Sequence, residues 1–193
     1  MQGRPRSTTR ARLEQVALGL FEARGFDGTT VDDIAGAAGI SRRTFFRYYR
    51  SKNDIPWGAF DEELERMRRT FAALPTDLPI MAGVRRAVLD FNEVHPEEQP
   101  WHRRRLRLIL DTPALQAHST LRYAKWRRVV AEYAASRLGL SPEDLVPQTI
   151  GHASLGVALA AYERWLTEGG DLQELLDVVF RAVESGLVPE PAR

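Results

Sequence analysis

Apolar side chains recur along this chain at intervals of three and four, the spacing that lines one face of an α-helix. Leu13, Val16, Ala17, Leu20 and Phe21 define the first such face, and Gly25 supplies the left-handed residue that ends it. Thr30 with Asp33 starts a short second helix as a capping box, Gly39 lies in a turn, and Ser41 caps a third helix. Ser51 with Asp54 caps a fourth, expected over residues 53–74 until Pro75 stops it. Past Pro79 the pattern predicts helices over 80–94, 100–110 and 112–139, the last with Pro113 at its first position. Ser141 and Pro142 restart the chain into a helix reaching Thr167, which Pro147 is expected to delay or kink. Gly169 and Gly170 break it, and a final helix runs from Asp171 to Ser185. No segment reads convincingly as a strand, so the expected fold class is all-α.

Composition narrows the class of protein. Hydrophobic residues make up 44% of the 193, enough for a sizeable core. The absence of cysteine excludes disulfides and thiolate zinc sites and suits a reducing cytoplasm. No apolar run approaches the roughly 18 residues that span a bilayer, so the expectation is a cytoplasmic chain with no membrane partner. The net charge of +1 hides an asymmetry. Residues 1–52 hold ten Lys/Arg against five Asp/Glu, a net of +5, which leaves 17 against 21 for residues 53–193, a net of −4. A basic head on an acidic body points the head at a polyanion.

Between Thr29 and Lys52 the chain reads as a short helix, a glycine turn and a second helix rich in arginine and aromatics. That is the sequence pattern of a helix-turn-helix, whose second helix enters the DNA major groove. Phe45 and Tyr49 are four apart and share a face that can close a small core with Ile34 and Ile40. Arg43, Thr44, Phe46 and Arg47 then lie opposite, with Arg42 projecting from the N-terminal end. An arginine can pair bidentately with guanine, and Phe46 can press on a thymine methyl or a sugar. Tyr48, Lys52 and Thr30 are placed to hold phosphates. A solvated arginine face is the alternative for any one of these residues, and the constellation argues against it. Arg4, Arg6 and Arg10 either reach the minor groove or backbone or form a solubilising arm.

The motif AxxLFxxxGFxxTTVxxIAxxAGISRRTFFRYYRSKND over residues 17–54 resembles the N-terminal domain of TetR-family transcriptional regulators. Two positions depart from the family pattern: Phe46 stands where tyrosine is usual, removing one phosphate contact, and Arg43 replaces a frequent glycine. The strings NDIPWGAFDEELERMR, PWHRRRLRLIL and PALQAHSTLRYAKWRRVVAEY, within residues 53–133, resemble the TetR-type regulators associated with mycofactocin gene clusters. This resemblance implies control of genes for a peptide-derived redox cofactor, not use of that cofactor. It also suggests long-chain acyl-CoA as an effector.

The body carries two expected surfaces. Leu172, Leu175, Leu176, Val179, Phe180, Val183 and Leu187 form a stripe on the last helix, and Gly151, Ala153, Gly156, Ala160 and Ala161 allow close approach on the one before. In TetR-like proteins the last two long helices pair with their copies, which implies a homodimer. Packing within one chain is the other reading of the stripe, and both can hold. The assigned dimer residues are Gly156, Ala160, Leu172, Leu176, Val179, Phe180 and Val183. A palindromic operator follows, because two recognition helices must reach successive major grooves about 34–36 Å apart. The resemblance also implies an effector cavity in the body, with Phe91, Trp101, His102, Arg105, Leu106, Ile109, His118, Tyr123, Trp126 and His152 as candidate lining, though aromatics at helical spacing also make ordinary core. His102, Arg103, Arg104, Arg105 and Arg107 form a cationic patch, and Arg122, Lys125, Arg127 and Arg128 a second. These patches suit a small amphipathic ligand such as an acyl-CoA thioester, or they are solvated faces paired with acids such as Glu97, Glu98 and Asp111.

No catalytic motif competes with this reading. The four histidines lack HExxH spacing, and there is no GxSxG elbow, P-loop or GxGxxG run. The expected protein has a three-helix DNA-binding domain over 1–52 and a ligand-binding, dimerising helical bundle over 53–193. It is a ligand-responsive repressor that needs no metal or cofactor beyond its effector. An effector-independent architectural DNA binder and a small helical enzyme are the alternatives.

Overall fold

A computed structural model describes residues 9–187. Among them the secondary structure is entirely helical: α1 (Arg10–Arg24), α2 (Val31–Ala37), α3 (Arg42–Tyr48), α4 (Phe60–Ala72), α5 (Ile80–Phe91), α6 (Gln99–Asp111), α7 (Pro113–Leu138), α8 (Leu145–Glu168) and α9 (Leu172–Glu184). A 3-10 segment, Lys52–Trp57, precedes α4. The chain divides into two compact units, residues 1–58 with 100–118 and residues 59–99 with 119–193.

The first unit is built by local capping. Thr9 accepts from the Arg12 amide at 3.2 Å to start α1, and Gly25 at φ 77° leaves it. Thr30 and Asp33 form the reciprocal capping box of α2. Gly39 turns the chain at φ 67°, and Ser41 accepts the Thr44 amide at 3.1 Å to start α3. Leu13, Ala17, Phe21, Ile34, Phe45 and Tyr49 close the core, as the spacing predicts, with Ile55 and Leu115 added. Trp101 and Leu108 of α6 also pack against that core. The packing unit therefore extends past the functional boundary drawn at residue 52 and recruits α6 and the first turn of α7.

Expectation and structure part in three places. The fourth helix is not continuous from residue 53 to 74: Pro56 lies in the 3-10 segment, and Gly58 at φ 47° breaks it before α4. The helix expected over 80–94 ends at Phe91, where Asn92 caps it. Pro147 neither delays nor kinks α8, because it stands in the first turn, where no backbone donor is required.

In the second unit α4, α5, α8 and α9 pack together. Leu64, Met67, Val84, Val88, Leu155, Leu176 and Phe180 are buried. Arg85 of α5 reaches Asp177 and Glu184 of α9 at 2.6 and 2.8 Å. Two glycines set helix separation. A β-carbon on Gly83 would collide with the Tyr133 ring, and one on Gly151 would stand 2.7 Å from the Arg127 carbonyl oxygen. None of the described helices is long and apolar enough to cross a membrane.

Candidate nucleic-acid interface

The recognition helix is held by its apolar side and leaves the other to solvent. Phe45 is fully buried and Tyr49 nearly so, while Arg42, Arg43, Arg47 and Arg50 are exposed and Phe46 is 45% exposed. Phe46 therefore presents its ring to solvent beside the arginines of the same face. Phe45 meets Phe46 edge-on with centroids 5.4 Å apart, which steers the outer ring. Arg42 lies over the Phe46 ring at 5.5 Å and donates to Asp32 at 2.7 Å. Arg47 lies over the half-buried Tyr48 ring at 5.6 Å. Thr44 shares its hydroxyl with Ser41 at 2.9 Å.

Two of the expected phosphate contacts have structural duties. The Thr30 hydroxyl donates to Asp33 at 2.5 Å within the capping box, and these hydrogen bonds hold the Asp33 carboxyl below its ordinary range. Lys52 donates to the carbonyls of Phe26 and Thr29 at 2.6 and 2.8 Å, and lies 4.4 Å from the centre of the Phe26 ring. It pins the turn between α1 and α2, a role that residue spacing does not reveal. Arg10 is the first residue of α1, its guanidinium 5.2 Å from the Tyr49 ring centre, so it is part of the folded head and not of a loose arm. Arg4 and Arg6 lie outside the described residues.

Glu14 is a residue that sequence reasoning missed. Its carboxylate accepts the Tyr49 hydroxyl at 2.7 Å and lies 3.6 Å from Arg105. Burial, and next the bond to Glu14, pushes the Tyr49 phenol well above its ordinary range. Only the register of Glu14 on the head-facing side of α1 hinted at this.

The candidate effector residues fall in both units. Trp101, His102, Arg105, Leu106, Ile109 and His118 belong to the first, where Trp101 packs on the head core and His118 pairs with Asp54 at 3.2 Å. Burial, with the Arg105 charge second, pulls the His102 imidazole down to about 4. Phe91, Tyr123, Trp126 and His152 belong to the second unit. There Trp126 is core, Phe91 meets Phe60 edge-on at 6.0 Å, and His152 is exposed on α8. The same unit holds a buried Asn92 that accepts from Tyr162 at 2.6 Å. A groove of about 250 Å³ lined by Arg68, Phe71, Ala72, Val129, Glu132, Tyr133 and Ser136 shares no residue with the candidate set.

The two cationic patches are largely paired, with acids other than those expected. Arg104 meets Glu22 at 3.2 Å and Arg105 meets Glu14. Arg122 and Lys125 share Asp61 at 3.2 and 2.9 Å, and Arg128 bridges Glu132 and Glu143. Among the described residues no cluster of three or more His, Asp or Glu could hold a metal ion.

The α9 stripe divides between two sides. Leu172, Leu176 and Phe180 are buried inside the unit and unavailable to a partner. Val179 and Val183 are half-buried, and Val178 is 63% exposed. On α8, Ala153, Gly156 and Ala160 are exposed, and a β-carbon on Gly156 would meet open space.

Comparison with known proteins agrees with this geometry. Residues 15–55 match the family model described as bacterial regulatory proteins, tetR family, and residues 78–188 match the MftR C-terminal domain. Over 186 residues the chain is 47% identical to a Mycobacterium tuberculosis protein whose name, MftR, ties it to transcriptional regulation of mycofactocin biosynthesis. That alignment covers 96% of this chain and 94% of the relative. The HTH-type transcriptional regulator TcmR of Streptomyces glaucescens is 31% identical over 94% of this chain and 84% of its own. Among solved structures, the Thermus thermophilus repressor FadR in complex with lauroyl-CoA superposes with a TM-score of 0.58 at 22% identity, covering 95% of this chain and 97% of that one. At that identity it supports the fold alone.

Proposed function

We infer the function from one premise: this chain belongs to the TetR family of bacterial transcriptional regulators, with a C-terminal domain of the MftR type. Proteins of this family bind DNA and are not enzymes, which removes the catalytic alternative. Within it, this protein acts as a homodimeric repressor that places two copies of α3 in successive major grooves of a palindromic operator. The observation that carries the reading is the outward face of α3, where Arg42, Arg43, Phe46 and Arg47 stand over a buried Phe45 and Tyr49. Thr44 and Tyr48 flank that face, and the third proton of the Lys52 ammonium can still serve a phosphate. The exposed small-residue face of α8 with Val178 of α9 is the surface on which the copies meet. The target genes are those of a mycofactocin system, as the relative's name suggests.

The body senses a small amphipathic effector, with an acyl-CoA thioester as the favoured class. FadR, of the same fold, is in complex with lauroyl-CoA. The hydrogen-bonded pair Tyr162 and Asn92 in the second unit is the polar feature that we assign to the head of such a ligand. The effector releases DNA only by favouring a head spacing that the operator does not fit. The test is anisotropy of a labelled duplex from upstream of the protein's own gene, titrated with and without lauroyl-CoA. Saturable binding reversed by lauroyl-CoA supports the whole reading. Binding that lauroyl-CoA leaves unchanged rejects that effector and keeps the regulator.

A further inference from the structure

We propose that Asp32 is a specificity-determining residue: it aims Arg42 at the bases and penalises binding to DNA of the wrong sequence. Two adjacent acids open α2, and only one of them is used in its cap. Asp33 accepts the Thr30 amide at 2.8 Å and the Thr30 hydroxyl, and stands 3.5 Å from Arg24. Asp32 has no part in that box. Its carboxylate instead takes Arg42, ten positions away on the recognition helix, at 2.7 Å.

The guanidinium of Arg42 is thus biased by two neighbours, Asp32 at 2.7 Å and the Phe46 ring with its centre at 5.5 Å. Arg43, the next residue, is exposed and takes no part in any ion pair among the described residues. One of two consecutive arginines is therefore preorganised and the other is free to follow a phosphate. A held guanidinium loses little freedom on meeting a base edge, whereas a free one gains most from the nearest phosphate, whatever the sequence. Arg42, more than Arg43, is then the base reader.

The Asp32 carboxylate also faces the surface that a polyanion must approach. Both partners are exposed, 60% for Arg42 and 65% for Asp32, so the pair adds little to folding. Its cost falls on every DNA complex alike, and its benefit only on those where Arg42 finds its base. The result is discrimination against random sequence.

The inference rests on the DNA-binding reading above, and one experiment separates the two. A duplex is enriched from a random library by the wild-type protein. Its affinity and that of an unselected duplex are then measured for wild type, Asp32→Ala, Asp32→Asn, Arg42→Ala and the Asp32→Ala/Arg42→Ala double variant, each checked for helicity. Asp32→Ala is expected to bind the unselected duplex about 2- to 5-fold tighter. The selected duplex gains nothing, so the ratio between the two falls by the same factor, about 2- to 5-fold. In the Arg42→Ala background the same change tightens both duplexes equally. Equal tightening of both duplexes with Arg42 present would overturn the proposal, since removal of one negative charge explains it. Failure of the wild type to enrich any sequence would overturn the DNA reading itself.

Discussion

Tyr49 donates its hydroxyl to Glu14 at 2.7 Å, and this bond ties the C-cap of the recognition helix to α1. The ring of Tyr49 is core, so replacing it with phenylalanine keeps the packing and deletes the bond. Tyr49→Phe is expected to cost about 1–3 kcal/mol and to lower the melting temperature by several degrees. The pH dependence has a definite sign. A phenol whose folded pKa is raised contributes stability that is present below its unfolded value near 10 and lost as pH rises beyond it. Tyr49→Phe should therefore show a shallower alkaline loss of stability than wild type in denaturant titrations, and an equal slope would show that this buried, Glu14-bonded phenol does not set the alkaline limit.

Lys52 connects the end of the head to the turn between α1 and α2. Two of its protons go to carbonyls of that turn, and the Phe26 carbonyl also accepts the Thr29 amide at 3.3 Å. Lys52→Ala should destabilise the fold by about 1–3 kcal/mol, visible in a thermal melt without DNA. A phosphate-only role would leave that melt unchanged.

His102 is a buried imidazole beside a cation. Its pKa is lowered from 6.5 to about 4, so the unfolded chain binds the proton first. The stability it contributes is complete above about 6.5 and is lost as pH falls toward about 4. His102→Gln cannot titrate, and its urea midpoint should fall less than that of wild type between pH 7.5 and 4.5. Parallel falls would show that the histidine does not set the acid limit.

Two glycines of α8 should behave oppositely. A methyl on Gly151 meets the Arg127 backbone, which cannot give way cheaply, so Gly151→Ala is expected to destabilise by about 1–3 kcal/mol. Gly156 faces open space, and Gly156→Leu should leave the monomer folded while dividing the dimer. Light scattering together with circular dichroism reads both. An unchanged mass for Gly156→Leu would move the dimer surface elsewhere.

These contrasts mark how far the chain was legible. The head was readable because its determinants are local: Thr30 with Asp33, Ser41 with Thr44, and Phe45 with Tyr49 act within one turn of one another. The break at Gly58 was not, since a good capping box at Ser51 and Asp54 disguises a segment that Pro56 keeps from becoming α-helix. The α9 stripe shows the same limit at longer range. Periodicity marks Leu176 and Phe180 as buried but does not say whether the cover is the same chain or a copy. Trp101 and His118 are candidate lining only through the cavity that the family resemblance implies, and tertiary packing places Trp101 on the head core and pairs His118 with Asp54.

The central claim is that the arginine face of α3 meets DNA. Its most direct test compares two double variants by anisotropy on the enriched duplex. Arg42→Ala/Arg47→Ala strips the recognition face, and Arg69→Ala/Arg86→Ala removes equal charge from exposed positions on α4 and α5. The first should abolish sequence-selective binding and the second should leave it within about twofold of wild type, as expected for charges far from a phosphate contact. Equal losses in the two would reduce the effect to net charge and contradict the account.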